Sequence, residues 1–223
     1  MICIFDLDGT LLNTIEDLGR ACNYALQTYH FPTHPLSEYP HLVGNGVNKL
    51  IERALPIGHK DDTTILQLRQ AFTPYYDEHN CNHTIPYDGI PALLQTLRSQ
   101  HCQLAVASNK YQDATQKLVS HFFPQTFDIV LGERANTPRK PDPQIVHDIL
   151  NSLDTTDPDI FYIGDSVVDI DTARNAQLPV IACTWGFCTE HELTTARPDY
   201  IVHHPSEILP IINRKAVTSP TYK

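Results

Sequence analysis

Ile2-Cys3-Ile4-Phe5-Asp6-Leu7-Asp8-Gly9-Thr10-Leu11 passes from an apolar run into two aspartates, a glycine and a threonine. A short, continuous apolar run is how a strand buried on both faces reads, as in a parallel sheet covered by helices. The aspartates stand at i and i+2. In a continued strand their carboxylates face the same way. Where strand gives way to loop, they can instead converge on one ion. Gly9 permits a tight turn and a close approach of backbone N–H groups to an anion. The same spacing also suits a solvated turn rich in Asp and Gly.

Working outward, similar apolar runs recur at 104–107, 129–131, 160–163, 180–182 and 200–202. Helical patterns separate them at 90–100, 112–121, 144–150 and 169–176. The first carries Leu93, Leu94 and Leu97 on one stripe. Strands alternating with helices of this length predict a doubly wound, Rossmann-like α/β domain with a mostly parallel sheet. Residues 14–83 break the pattern. Their apolar positions recur at helical spacing, as in Leu18, Cys22, Ala25 and Leu26, or Val47, Leu50, Ile51 and Leu55, with Pro32, Pro35, Pro40 and Pro56 between helices. The expected division is a core of residues 1–13 and 84–223 and an inserted helical cap of 14–83. The polar tail after Arg214 is expected to fray.

The chain has 223 residues, of which 41% are hydrophobic and 19% charged, which suits a soluble globular protein. Its 26 acidic and 16 basic residues leave a net charge of −10, which argues against non-specific nucleic-acid binding. It leaves room for a small phosphorylated metabolite, which needs only local donors. No apolar run reaches the roughly 18 residues needed to span a bilayer. The opening residues lack the basic flank of a signal peptide. Six cysteines without metal-type spacing read as reduced thiols in a cytoplasmic protein, monomeric or homodimeric. His79 and His83 stand four apart, but no carboxylate partner is evident, and no zinc site is expected.

Three more stretches could carry chemistry. Ile160-Phe161-Tyr162-Ile163-Gly164-Asp165-Ser166-Val167-Val168-Asp169 again ends an apolar strand in acid. Ligand sites in open α/β sheets lie beyond the carboxyl ends of strands. Two acidic strand ends there crowd like charges, which a hard divalent cation with oxygen ligands offsets; magnesium suits phosphate substrates. Asp169 also suits the first turn of the following helix. Leu104-Ala105-Val106-Ala107-Ser108-Asn109-Lys110 ends a strand in a hydroxyl and an amide, which also reads as a helix cap or turn. Pro138-Arg139-Lys140-Pro141 holds a lysine in a stiff loop, where it can neutralise phosphate oxygens and the acidic cluster, or simply lie in solvent.

In order along the chain, these stretches resemble the four motifs of the haloacid dehalogenase-like hydrolases, in the phosphatase branch. Asp6-Leu7-Asp8-Gly9-Thr10 is similar to the first, Ser108-Asn109 to the second, Lys140-Pro141 to the third and Gly164-Asp165-Ser166-Val167-Val168-Asp169 to the fourth. A helical cap after the first motif also resembles this family's first cap type. The resemblance implies that Asp6 attacks phosphorus and forms an aspartyl-phosphate, and that Asp8 is general acid and base. It implies Mg2+ held by Asp6, the Asp8 carbonyl and Asp165, with Asp169 beside the metal or reaching it through water. Ser108 and Lys140 are implied to grip phosphoryl oxygens, with backbone N–H groups near Leu7 and Gly9, and Asn109 to position the substrate side of the loop.

The dehalogenases of the superfamily lack an acid at the place of Asp8, and the sugar phosphomutases typically show a histidine that Leu11-Leu12-Asn13-Thr14-Ile15-Glu16-Asp17-Leu18 lacks. The segment looks more like phosphoglycolate phosphatase. Leu42-Val43-Gly44-Asn45-Gly46 resembles that branch's cap loop, which implies that Gly44, Asn45 and Gly46 touch the non-phosphate part of the substrate. Where the family often has glycine, this chain has Gln177 after Ala176, a departure at a structural turn. Trp185 suits either core packing or the rim of the site. The expected reaction is magnesium-dependent hydrolysis of a small phosphomonoester such as 2-phosphoglycolate. Alternatives are a nucleotide or sugar monophosphatase, an inorganic pyrophosphatase or a phosphomutase.

Overall fold

Side chains of the apolar runs alternate between two faces, and this alternation builds the core. The computed structural model describes residues 1–153 and 159–218, with side chains as far as Asn213. In chain order its elements are β1 (Ile2–Phe5), β2 (Leu12–Asn13), α1 (Ile15–Thr28), a 3-10 turn at Leu36–His41, α2 (Val47–Ala54), α3 (Asp62–His79) and β3 (Ile85–Pro86). There follow α4 (Ile90–Ser99), β4 (Gln103–Tyr111), α5 (Gln112–Phe122), β5 (Ile129–Glu133), α6 (Gln144–Leu153) and β6 (Ile160–Gly164). The chain continues with α7 (Val167–Asn175), β7 (Val180–Cys183), α8 (Glu190–Ala196), β8 (Tyr200–Val202) and α9 (Ile208–Thr218).

Six strands form one sheet in the order β5-β4-β1-β6-β7-β8, and every pairing is parallel. Cys3, Phe5, Leu104, Val106, Phe161 and Ile163 face one way and pack with α4, α5 and α9. Ile2, Ile4, Ala105, Ala107 and Tyr162 face the other and pack with α6, α7 and α8. The inner strands β1, β4, β6 and β7 are thus buried on both faces, the physical reason for their unbroken apolar runs. β1 lies between β4 and β6, so its carboxyl end opens where the strand order reverses, the usual crevice of such sheets.

The helices between β2 and β3 have an apolar cluster of their own, built on Leu18, Ala25, Leu50, Ile51, Leu68 and Phe72, with Ala114 of α5 reaching into it. The two chain passages joining it to the sheet are fastened together. β2 pairs antiparallel with β3, Leu12 opposite Pro86 and Asn13 opposite Ile85. Beside them the buried Asp17 carboxylate accepts from His83 N–H at 3.0 Å, Thr84 N–H at 2.8 Å and Thr84 Oγ1 at 2.8 Å.

Several boundaries differ from the sequence reading. β4 runs on through Ser108, Asn109 and Lys110, with its pairing to β5 shifted between Ala107 and Tyr111. β5 reaches Glu133 and β6 takes in Gly164. α7 starts at Val167, because Ser166 caps it. α9 continues to Thr218, four residues into the tail expected to fray, and the remainder, 219–223, lies outside the described residues.

Candidate active site

The backbone sets the site's spacing first. Asp6 N–H donates to Ile163 O at 2.9 Å, which fixes the end of β1 beside the end of β6. Gly9 follows at φ +89°, and a Cβ there would lie 2.3 Å from Asp165 Oδ2. A Cβ on Gly164 would meet Asp169 Cβ at 2.4 Å, and one on Gly186 would meet Asp165 Cβ at 2.3 Å. Three glycines therefore clear the room in which two carboxylates stand. Gly186 carried no such meaning in the sequence.

Within that room Asp6, Asp165 and Asp169 each bring a carboxylate oxygen within 4.8 Å of the others, all three residues being buried. Asp165 is held at both ends: Oδ1 accepts from Thr10 Oγ1 at 2.9 Å and Oδ2 from Phe187 N–H at 2.8 Å. Asp169 is both helix cap and site residue. Its Oδ2 accepts from Ser166 N–H and Oγ, closing a capping box at the start of α7, while its Oδ1 takes Lys140 Nζ at 2.7 Å. The first-turn role of Asp169 thus leaves its other oxygen on Lys140.

Lys140 Nζ is the charge at the centre. It donates to Ala107 O at 2.9 Å and Tyr162 Oη at 3.1 Å, and lies 2.9 Å from Asp6 Oδ1. Burial alone would lower its pKa, but Asp169 and Asp6 outweigh burial and hold it well above the usual lysine value. It is a permanent cation. The ammonium sits off the line of a hydrogen bond to Asp6, so Asp6 Oδ1 is buried with no aligned donor among the described residues. Burial, opposed by Lys140 and reinforced by Asp169 and Asp8, pushes Asp6 up to about 7. Burial, with Asp169 and Asp6, pushes Asp165 well above the ordinary carboxylate range. One ammonium does not offset three buried carboxylates. Hard oxygen donors, mutual repulsion and an oxygen without an aligned donor fit a divalent cation.

The other residues singled out in the sequence fall around this cluster. Asp8 is half-buried, its Oδ1 accepting from Thr14 Oγ1 at 2.7 Å. Ser108 is buried, and its Oγ accepts from Lys110 N–H at 3.3 Å. Asn109 is engaged by backbone: its Oδ1 accepts from Lys140 N–H at 2.9 Å and its Nδ2 donates to Lys140 O at 3.2 Å. It braces the loop that carries Lys140. The Gly9 N–H donates to Leu12 O at 2.9 Å, within the turn. The Leu7 carbonyl accepts from the N–H groups of Leu11 and Leu12, and its side chain is in the core. Trp185 packs on the core and donates from Nε1 to Thr10 O at 3.0 Å.

Two connected hollows lie over the strand ends. An inner one of about 50 Å³ has Asp6, Asp8, Ser108 and Lys140 as floor and Leu18, Val43, Val47 and Leu50 as roof. An outer one of about 290 Å³ is lined by Gly44, Asn45, His41 and Arg53 above and by Asp165, Ser166 and Phe187 below. Arg53 of α2 donates to Leu42 O at 3.0 Å, Val43 O at 2.9 Å and Asn45 Oδ1 at 2.7 Å, which fixes the shape of the glycine loop. Asn109 Nδ2 reaches Gly44 O across the gap at 3.4 Å. Arg53 passed unnoticed in the sequence. Its only signal there was an arginine on the polar side of an otherwise apolar helical stripe.

Fold and site together define a doubly wound, Rossmann-like α/β protein with an acidic cluster at its strand ends. Residues 3–183 match the family model of the haloacid dehalogenase-like hydrolases, and the chain belongs to that family, in its phosphoglycolate-phosphatase-like branch. It is similar to the phosphoglycolate phosphatase of Haemophilus influenzae (strain 86-028NP), 30% identical over 93% of this chain and 96% of that one. The phosphoglycolate phosphatase of Aliivibrio fischeri is also 30% identical, over 94% and 95%. A crystal structure from Lactobacillus delbrueckii subsp. bulgaricus, of a candidate phosphoglycolate phosphatase, superimposes with a TM-score of 0.89 at 32% identity, covering 95% of this chain and 97% of that one. The chain is an enzyme, a phosphatase whose three buried aspartates can hold a divalent metal. Among the described residues, no helix is long and apolar enough to cross a membrane.

Proposed function

We propose that this enzyme hydrolyses a small phosphomonoester through an aspartyl-phosphate on Asp6, with 2-phosphoglycolate as the leading substrate. The supporting observation is Asp6 itself. Its carboxylate faces the inner hollow, beside the Lys140 ammonium, with one oxygen lacking an aligned donor. Asp6 attacks phosphorus as the ester P–O bond breaks, and Asp8 gives its proton to the departing oxygen. Asp8 then takes a proton from the water that cleaves the aspartyl-phosphate. Ser108 and Lys140 hold phosphoryl oxygens, with backbone N–H groups near Leu7. Asp6, the Asp8 carbonyl and Asp165 hold Mg2+, which when bound screens charge between anionic nucleophile and anionic substrate. Asp169 acts from behind, by holding Lys140 and the start of α7.

Residues 1–13 and 84–223 are read as the catalytic core and 14–83 as a cap, whose Gly44-Asn45-Gly46 loop meets the leaving group. Among the described residues no disulfide forms, in keeping with a cytoplasmic enzyme. The outer hollow supports a second reading. Its volume of about 290 Å³ exceeds what a two-carbon leaving group fills, which favours a sugar or nucleotide monophosphate. The test is a set of esters turned over with MgCl2: phosphoglycolate, sugar phosphates, nucleotides and pyrophosphate. Phosphoglycolate should give the highest kcat/KM. Asp6→Asn should lose about 10⁴-fold or more on every ester, and quenched wild-type enzyme should carry phosphate on the Asp6 peptide. Full activity in Asp6→Asn would end this mechanism.

A further inference from the structure

Lys110 follows Ser108 and Asn109 in the irregular part of β4, and the reaction described above does not use it. Its side chain is 3% exposed. An ammonium withdrawn from water is unfavourable unless it is paired, and Lys110 is paired on two sides. Its Nζ lies 3.1 Å from Asp8 Oδ2 and donates to Tyr76 Oη at 2.9 Å. Tyr76 comes from α3, in the helical segment, and is itself buried and stacked on Phe72. The other Asp8 oxygen is held by Thr14 Oγ1, at the entrance to α1. One carboxylate is thus gripped at both oxygens, from the chain passage on one side and from the sheet on the other. Lys110, Asp8 and the apolar roof residues all line the inner hollow.

We propose that Lys110 is a positioning residue for Asp8, and that its bond to Tyr76 makes the aim of Asp8 depend on α3 being seated over β4. This rests on the reading of Asp8 as the general acid. Proton transfer in the transition state needs the acid within hydrogen-bond reach of the departing oxygen. A carboxylate held at one oxygen by Thr14 alone can still swing about that contact. Lys110 removes the swing, and Tyr76 holds Lys110. When α3 lifts away, Lys110 loses the Tyr76 hydroxyl and Asp8 loses its second anchor. The acid is then aimed only under a closed roof.

An acid matters in proportion to how badly the leaving group needs a proton. An alkoxide needs one; a nitrophenolate leaves without. The test compares kcat/KM for phosphoglycolate and for p-nitrophenyl phosphate, in Mg2+, across wild type, Lys110→Met, Tyr76→Phe and Asp8→Asn. The constant kcat/KM reports the first transfer alone. Lys110→Met should lower it about 100-fold on the alkyl ester and less than about 5-fold on the aryl ester, with Tyr76→Phe selective in the same sense at about 10-fold. Tyr76→Phe keeps the ring and its packing, so it reads the link even if Lys110→Met fails to fold. Equal losses on both esters would make Lys110 a binding or structural residue and overturn the proposal, as would no loss on either. If Asp8→Asn is selective and the other two are not, only the Lys110 proposal falls. If Asp8→Asn is itself unselective, the acid–base reading falls and takes the proposal with it.

Discussion

The floor of the site and its roof are held in different ways. On the floor, Asp165, Asp169 and Lys140 each have two or more short bonds to groups from separate elements. Glycines leave no slack around the two carboxylates. Among the described residues, the roof loop at Gly44, Asn45 and Gly46 takes side-chain hydrogen bonds from Arg53 and meets the floor through a long contact from Asn109. The floor is over-determined and the loop is not. Groups held from several sides keep their aim to fractions of an ångström, whereas a loop held by few contacts can be altered without disturbing them.

The largest effect on stability should come from crowding the floor. Gly164→Ala places a methyl 2.4 Å from both Cβ and Cγ of Asp169, whose carboxylate is tied to Lys140 and Ser166 and so is not free to swing aside. We expect a loss of roughly 2–3 kcal/mol in urea unfolding and about 100-fold in kcat. A mild effect on both would show that the floor has slack after all.

The floor should also show its charge through pH. With metal removed by chelation, Asp6 titrates near 7 in the folded chain against an ordinary 3.8. A raised carboxylate binds its proton more tightly when folded. Its stabilisation is therefore complete below about pH 4 and is lost as pH rises towards 7, at roughly 1.4 kcal/mol per pH unit for one proton. Asp165 shifts in the same direction and steepens the fall. Asp6→Asn should flatten the curve of unfolding free energy against pH, and added Mg2+ should restore stability on the alkaline side. A chelated protein with no fall between pH 4 and 7 would contradict the crowded-carboxylate picture.

The roof should respond in binding. Arg53→Ala releases three contacts that shape the loop. We expect KM to rise about 10-fold while kcat stays within about 3-fold. A selective fall in kcat would mean that the loop takes part in aligning the reaction. The smallest effect is expected away from both regions. Gln177 is exposed and follows α7 at φ +59°, a left-handed position where glycine is at ease. Gln177→Gly should raise stability by roughly 0.5–1 kcal/mol without touching activity.

The acids of the floor could be read beforehand, because Asp6 and Asp165 follow apolar strands and Asp169 stands in the first turn of a helix. The runs at 2–5 and 160–163 predicted β1 and β6 to within a residue. The far end of β4 was not legible: Ser108, Asn109 and Lys110 are polar, and strand there is sustained by pairing with a shifted neighbour, which no local pattern records. The two-residue strands β2 and β3 are too short to carry a period. α8 buries only Leu193, so it lacks an apolar stripe; its signal was the capping box of Thr189 and Glu192. In the 42–46 loop, the glycines announced a turn at φ +103° and +81°, but not the arginine that holds it.

By itself the sequence determined where the acids stand: after unbroken apolar runs that only a sheet covered on both faces can bury. It thereby placed Asp6 and Asp165 at one edge. Only the tertiary structure decided how those groups are held. Thr10 reaches Asp165 across 155 residues, Trp185 reaches Thr10 across 175, and Lys110 reaches Tyr76 across 34. Strand and helix periods are properties of neighbours in the chain. A hydrogen-bond partner or a glycine's clearance is a property of neighbours in space, and exists only once the sheet has brought its strand ends together.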